Sequence, residues 1–144
     1  MIKFFWFWII IYPFFVFGQP NNQDSCCKSS LQVTKLANYS TKQVGKEFLR
    51  LRKLGCCSVF SGDLRPIMEE LAVRMEKSQV STRRLIKIMG KPNANEIPRT
   101  HGIIYSPQAG ESLYIYHWRS WHDFLYFVVK DNRVRQAKWF YAYE

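Results

Sequence analysis

Apolar positions follow three different patterns along the chain, and each predicts a different kind of element. Phe4 to Phe17 is an unbroken apolar and aromatic run preceded by one charge, Lys3, and followed by Gly18-Gln19-Pro20. From Ser40 to Met89 apolar residues recur every three or four positions, the signature of amphipathic helices. Ser40 and Gln43 form a capping box, and Val44, Phe48, Leu51 and Leu54 follow on one face, so a first helix is expected from about Thr41 to Leu54. Asp63 is placed to cap a second helix, with Pro66 in its first turn and Leu64, Ile67, Met68, Leu71, Ala72 and Met75 at helical spacing. Ser81 caps a short third helix bearing Leu85, Ile86 and Met89, which Gly90 ends and Pro92 keeps from continuing. Lys91 to Gly110 has little periodicity and reads as a long loop, with one short extended piece at Ile103 to Tyr105.

From Ser112 onward the period becomes two. Leu113–Trp118, Phe124–Lys130 and Arg133–Tyr141 are rich in aromatic and β-branched residues, separated by Arg119 to Asp123 and by Asp131-Asn132. These are three antiparallel strands of a meander. In the first, Tyr114, Tyr116 and Trp118 share one face, and Leu113, Ile115, His117 and Arg119 share the other. The expected fold is α+β in two layers, with two to three helices packed on a C-terminal three-stranded antiparallel meander.

The first run reads as a secretory signal over residues 1–18. Its fourteen residues are fewer than the roughly 20 that span a bilayer, and Pro13 interrupts them. Cleavage after Gly18 leaves 126 of the 144 residues, enough for one domain. Residues 19–40 are expected to form an N-terminal arm tied by cysteines, and 41–144 the single domain. The four cysteines stand as adjacent pairs, Cys26-Cys27 and Cys56-Cys57. Export makes disulfides between the pairs the expected state, either Cys26–Cys56 with Cys27–Cys57 or the crossed arrangement.

Without Lys3 there remain twenty basic against eleven acidic side chains. That excess favours an acidic protein surface or an anionic lipid surface; nucleic acid is not expected for an exported chain. Lys46, Arg50 and Lys53 lie on the polar side of the first helix, and Arg83, Arg84, Lys87 and Lys91 on or just past the third. A contact surface is therefore assigned to Arg83, Arg84 and Lys87 together with the aromatic residues Tyr114, Tyr116, Trp118 and Trp121, Arg119 and His122. Proton-transfer chemistry is conceivable only around Glu111, His117, His122 and Asp123, and the sequence offers no nucleophile motif, metal-ligand spacing or phosphate-binding loop to accompany them. No catalytic residue, metal or small-molecule cofactor is expected, and His122 is read as ordering a turn. Asn38-Tyr39-Ser40 matches a glycosylation acceptor.

The segment Ile88-Met89-Gly90-Lys91-Pro92, a loop, Leu113-Tyr114-Ile115-Tyr116, Phe124-Leu125-Tyr126-Phe127-Val128-Val129 and Asn132-Arg133-Val134 resembles the SmpA/OmlA (BamE-like) module over about residues 79–139. The resemblance implies a small binding scaffold of the bacterial envelope, periplasmic or otherwise exported, without enzymatic activity. Family members assist insertion of β-barrels into the outer membrane, and β-lactamase inhibitory proteins share the architecture, so a secreted inhibitor is the alternative the resemblance implies; the residues themselves leave a small hydrolase using His122 and Asp123 as a further one. Here Gln79-Val80-Ser81 replaces the family's Gly-Met-Thr, Leu113 or Tyr114 replaces the Trp of the first strand, and no lipobox cysteine ends the signal.

Overall fold

The computed structural model describes residues 27–56, 62–97 and 105–142. The expected signal, the expected arm before Cys27, Cys26, Cys57, His101 and residues 103–104 of the expected extended piece lie outside those residues. A short 3-10 helix, Val33–Asn38, precedes helices α1 (Thr41–Lys53), α2 (Leu64–Lys77) and α3 (Thr82–Met89), and strands β1 (Glu111–Arg119), β2 (Asp123–Lys130) and β3 (Arg133–Tyr141) complete the order. The architecture is α+β, with a meander of order β1-β2-β3 and antiparallel pairing throughout.

Local chemistry explains most boundaries. At α1, Ser40 Oγ accepts from the Gln43 N–H while the Gln43 side chain accepts from the Ser40 N–H at 2.8 Å, so the capping box is complete. Ser81 Oγ accepts from the Arg84 N–H, and Gly90 leaves the helix at φ 75°, a left-handed conformation that costs glycine little. Asp131 and Asn132 both have positive φ, as a two-residue hairpin turn with right-handed strand twist requires. Asp63 departs from expectation. It occupies the cap position of α2, but its side chain makes no capping bond and instead accepts from the Ser29 N–H at 2.7 Å, with Lys28 Nζ 3.7 Å from the other oxygen.

The helices cover one sheet face. Tyr116 and Trp118 from β1, Leu125, Phe127 and Val129 from β2 and Val134 from β3 pack with Val44, Phe48 and Leu51 of α1, the apolar stripe of α2, and Leu85 and Met89 of α3. The opposite face is apolar too. Leu113, Ile115, Phe124, Tyr126 and Val128 form a second cluster, against which Ala94, Ile97, Tyr105, Trp121 and Phe140 pack. The loop after α3 is pinned there by pairing with the β1 edge: the Asn93 N–H donates to the Ile115 carbonyl at 2.7 Å, and the Ile115 N–H donates to the Ala94 carbonyl at 2.9 Å. At the other edge the Val134 N–H donates to the Val80 carbonyl, so the link between α2 and α3 shields the start of β3.

The described part of the segment before α1, residues 27–40, packs against the helices and is not held by cysteines alone. Leu36 is buried in the core, and Arg74 donates to the Leu36 and Tyr39 carbonyls at 2.8 and 2.7 Å. Cys27 is bonded to Cys56, which belongs to the crossed arrangement. Closing a loop of 29 residues is worth about 3.6 kcal/mol by chain entropy. A second clasp lies beside it. Glu47, a carboxylate only 5% exposed, accepts from the Ser30 N–H, both hydroxyls of Ser29 and Ser30, and Arg50 Nε and Nη2. These donors, Arg50 foremost, outweigh burial and hold its pKa at about 2 against an ordinary 4.5.

A depressed folded pKa means that this stabilisation is complete above about pH 4.5 and is lost as pH falls towards 2. Glu47→Gln is expected to lower stability at pH 7 by about 3 kcal/mol and to flatten the pH dependence between 4.5 and 2. Urea unfolding across that range measures both; equal acid sensitivity in variant and wild type would contradict the assignment.

Candidate functional site

Two helices of quite different sequence meet at a glycine. A Cβ on Gly45 would stand 2.6 Å from Ile88 Cγ2 and 3.1 Å from the Ile88 carbonyl, so α1 and α3 approach as closely as they do because position 45 carries no side chain. Beside the contact lies a groove of about 630 Å³, lined by Thr41, Lys42, Gly45, Lys46 and Leu49 on α1 and by Ser81, Arg83, Arg84, Lys87 and Ile88 around α3. Lys42, Lys46, Arg83, Arg84 and Lys87 are all exposed, and no lining residue is acidic. Neither helix has an acidic residue in its first turn, so the positive ends of both dipoles add to the same field. The floor is apolar: Leu49 is 37% exposed, and Ile88 is half-buried. Like charges gathered around an open apolar floor are unfavourable for the isolated fold and favourable for an anionic amphiphilic partner.

The predicted contact residues separate into two groups. Arg83, Arg84 and Lys87 do line this groove, with Lys46, and the structure adds Lys42, Gly45 and Leu49. Arg50 is not part of it, because its guanidinium is held by Glu47 and donates to the Lys28 carbonyl. Of the aromatics, Tyr116 and Trp118 are 0% and 1% exposed and lie beneath the helices, which corrects their assignment to a contact surface. Their face of β1 is the one covering α1 and α2, and Tyr116 meets Phe48 and Phe127 edge-on while its hydroxyl donates to the Gly90 carbonyl. Tyr114 is half-buried against the same core. Trp121 lies on the opposite face, half-buried, edge-on to His117 at 4.5 Å and to Phe124 at 5.6 Å. Arg119 stacks over Trp118 and is ion-paired with Asp123.

The conceivable proton-transfer cluster does not assemble. Glu111 pairs across the sheet with Lys130, and Asp123 with Arg119, so they sit at opposite ends of β1, about 27 Å apart at the usual rise per strand residue. Glu111 accepts from the Tyr105 hydroxyl at 2.6 Å, which lowers the carboxyl pKa and raises the phenol to about 12. Asp123 is fully buried and organises the β1–β2 turn: the Ala142 N–H donates to Oδ1 at 3.2 Å, Arg119 Nε donates to Oδ2, and His122 Nδ1 stands 3.3 Å from Oδ1. His122 itself is exposed on the far side of that carboxylate. His117 is half-buried; burial, and secondly Arg52, lowers its pKa and favours the neutral ring. Among the described residues no group of three or more histidine, cysteine or acidic side chains is placed to hold a metal ion, and no helix is long and apolar enough to cross a membrane.

Of the site residues that the sequence reading missed, Gly45 alone left a signal: a glycine inside a strongly capped helix marks a close packing approach. Compared with known proteins, the chain matches no protein-family model, no curated protein and no solved structure.

The turn assignment separates two substitutions. Asp123→Ala removes the buried carboxylate that pairs with Arg119, while the Ala142 N–H keeps the His122 carbonyl at 2.8 Å, and is expected to cost about 2–3 kcal/mol. His122→Ala removes an exposed ring and is expected to cost less than about 1 kcal/mol. Chemical denaturation of both variants provides the check, and equal costs would mean that His122 carries more of the turn than its exposure indicates.

Proposed function

We propose that the chain is an exported, non-enzymatic binding module of the cell envelope whose contact surface is the cationic groove between α1 and α3, and whose partner is an acidic protein or an anionic lipid surface. The observation that carries the reading is the set of five exposed cations around an apolar floor with no acidic side chain in the lining. Export is supported by the Phe4–Phe17 run and by the Cys27–Cys56 disulfide, which belongs to an oxidising compartment. Helices layered on a three-stranded meander are the architecture that the SmpA/OmlA resemblance implies, and a scaffold role follows from that resemblance rather than from a reaction centre. A hydrolase reading has less behind it, since Asp123 is committed to Arg119 and the Ala142 N–H.

Retention on immobilised poly-glutamate tests the surface. Arg83→Glu with Arg84→Glu is expected to lower the eluting salt concentration sharply. Lys35→Glu with Lys77→Glu changes net charge equally at exposed positions that do not line the groove, and is expected to lower it only slightly. Equal loss in both double variants would reduce the effect to net charge and overturn the site.

A further inference from the structure

We propose that the α1–α3 groove receives an acidic amphipathic α-helix from a partner protein. This rests on the binding-module reading above and narrows its partner to one class. Three features of the groove select a helix over a bilayer or an extended peptide.

The first is charge spacing. Lys42 and Lys46 stand four residues apart on one bank, and Arg83 and Lys87 four apart on the other, so each bank repeats its charge once per helical turn, about every 6 Å. Carboxylates at i and i+4 on the two flanks of a docking helix repeat at the same interval. The second is the concave form: the floor at Gly45, Leu49 and Ile88 lies between the cationic banks. A flat headgroup surface meets the banks and leaves that floor wet. A helix with an apolar stripe between its acidic flanks fills it, in the manner of helix-in-groove recognition. The third is backbone accounting. The walls are helices whose peptide groups are bonded internally, so they offer no ladder of donors and acceptors to a strand, whereas a helix satisfies its own peptide groups. The α1 wall from Thr41 to Leu49 is about 12 Å long, enough for two turns of a docked helix.

The test uses the full chain and three probes at 0.15 M salt: a capped sixteen-residue peptide with leucine at i, i+3 and i+7 and glutamate on both flanks, a peptide of the same composition with the leucines scrambled off one face, and vesicles containing 30% phosphatidylglycerol. Fluorescence anisotropy follows the peptides, and co-sedimentation follows the vesicles. The patterned peptide is expected to bind at least about tenfold more tightly than the scrambled one, and to lose about tenfold or more with Leu49→Glu and, independently, with Arg83→Glu and Arg84→Glu combined. Circular dichroism establishes that each variant is folded, and the exposed arginine pair keeps the test open should Leu49→Glu unfold. Equal binding of the two peptides, or groove-dependent binding of vesicles alone, overturns the helix and leaves the cationic groove standing. Binding of none of the three probes overturns both.

Discussion

The burial of β2 on both faces is the constraint on which the rest of the structure depends. Asp123 through Val129 are seven consecutive buried residues, and a strand of that kind exists only where each side of the sheet is covered. A three-stranded sheet standing alone cannot provide this cover. The helices supply it on the side of Leu125, Phe127 and Val129, and the loop after α3, with Ala94, Ile97 and Tyr105, supplies it on the side of Phe124, Tyr126 and Val128. The two covers are linked through Arg52, which donates from α1 to the Met89 and Lys91 carbonyls and to Asn93 Oδ1, while Asn93 in turn accepts from the His117 N–H. Helix layer, loop and sheet are therefore mechanically continuous.

That demand limits what the sheet can offer a partner. A sheet with both faces covered leaves few aromatic side chains for a partner, and the outward side of the helices is part of the surface that remains. There the sequence places cations, while several acidic residues of the helix layer have structural partners: Glu47 holds the segment before α1, Asp63 holds Ser29, and Glu70 pairs with Arg74 behind the 3-10 helix. The groove is thus basic because α3 has no acidic residue and Glu47, the one in α1, is committed to Ser29, Ser30 and Arg50, and its two helices meet closely because position 45 is glycine.

Local chemistry was legible in the sequence and long-range pairing was not. Ser40 with Gln43, Ser81, Gly90 and Asp131-Asn132 marked element ends because each acts within a few residues of itself. The alternation of Tyr114, Tyr116 and Trp118 put them on one face, but alternation has no sign, and only packing against α1 and α2 makes that face the inner one. Glu47 could not be read as a clasp because its partners Ser29 and Ser30 lie eighteen and seventeen residues away. Two basic helix faces were visible separately; their convergence into one groove depends on a helix crossing that no local pattern encodes.

Native-state hydrogen exchange of the β2 amides tests the central claim most directly. With β2 buried on both faces and its covers linked, the amides of Leu125 to Val129 are expected to exchange only through global unfolding, with protection matching the unfolding free energy measured by denaturant. Protection lower by several kcal/mol, with exchange that tracks opening of the loop after α3 alone, would show that the outer cover is dispensable and contradict the account.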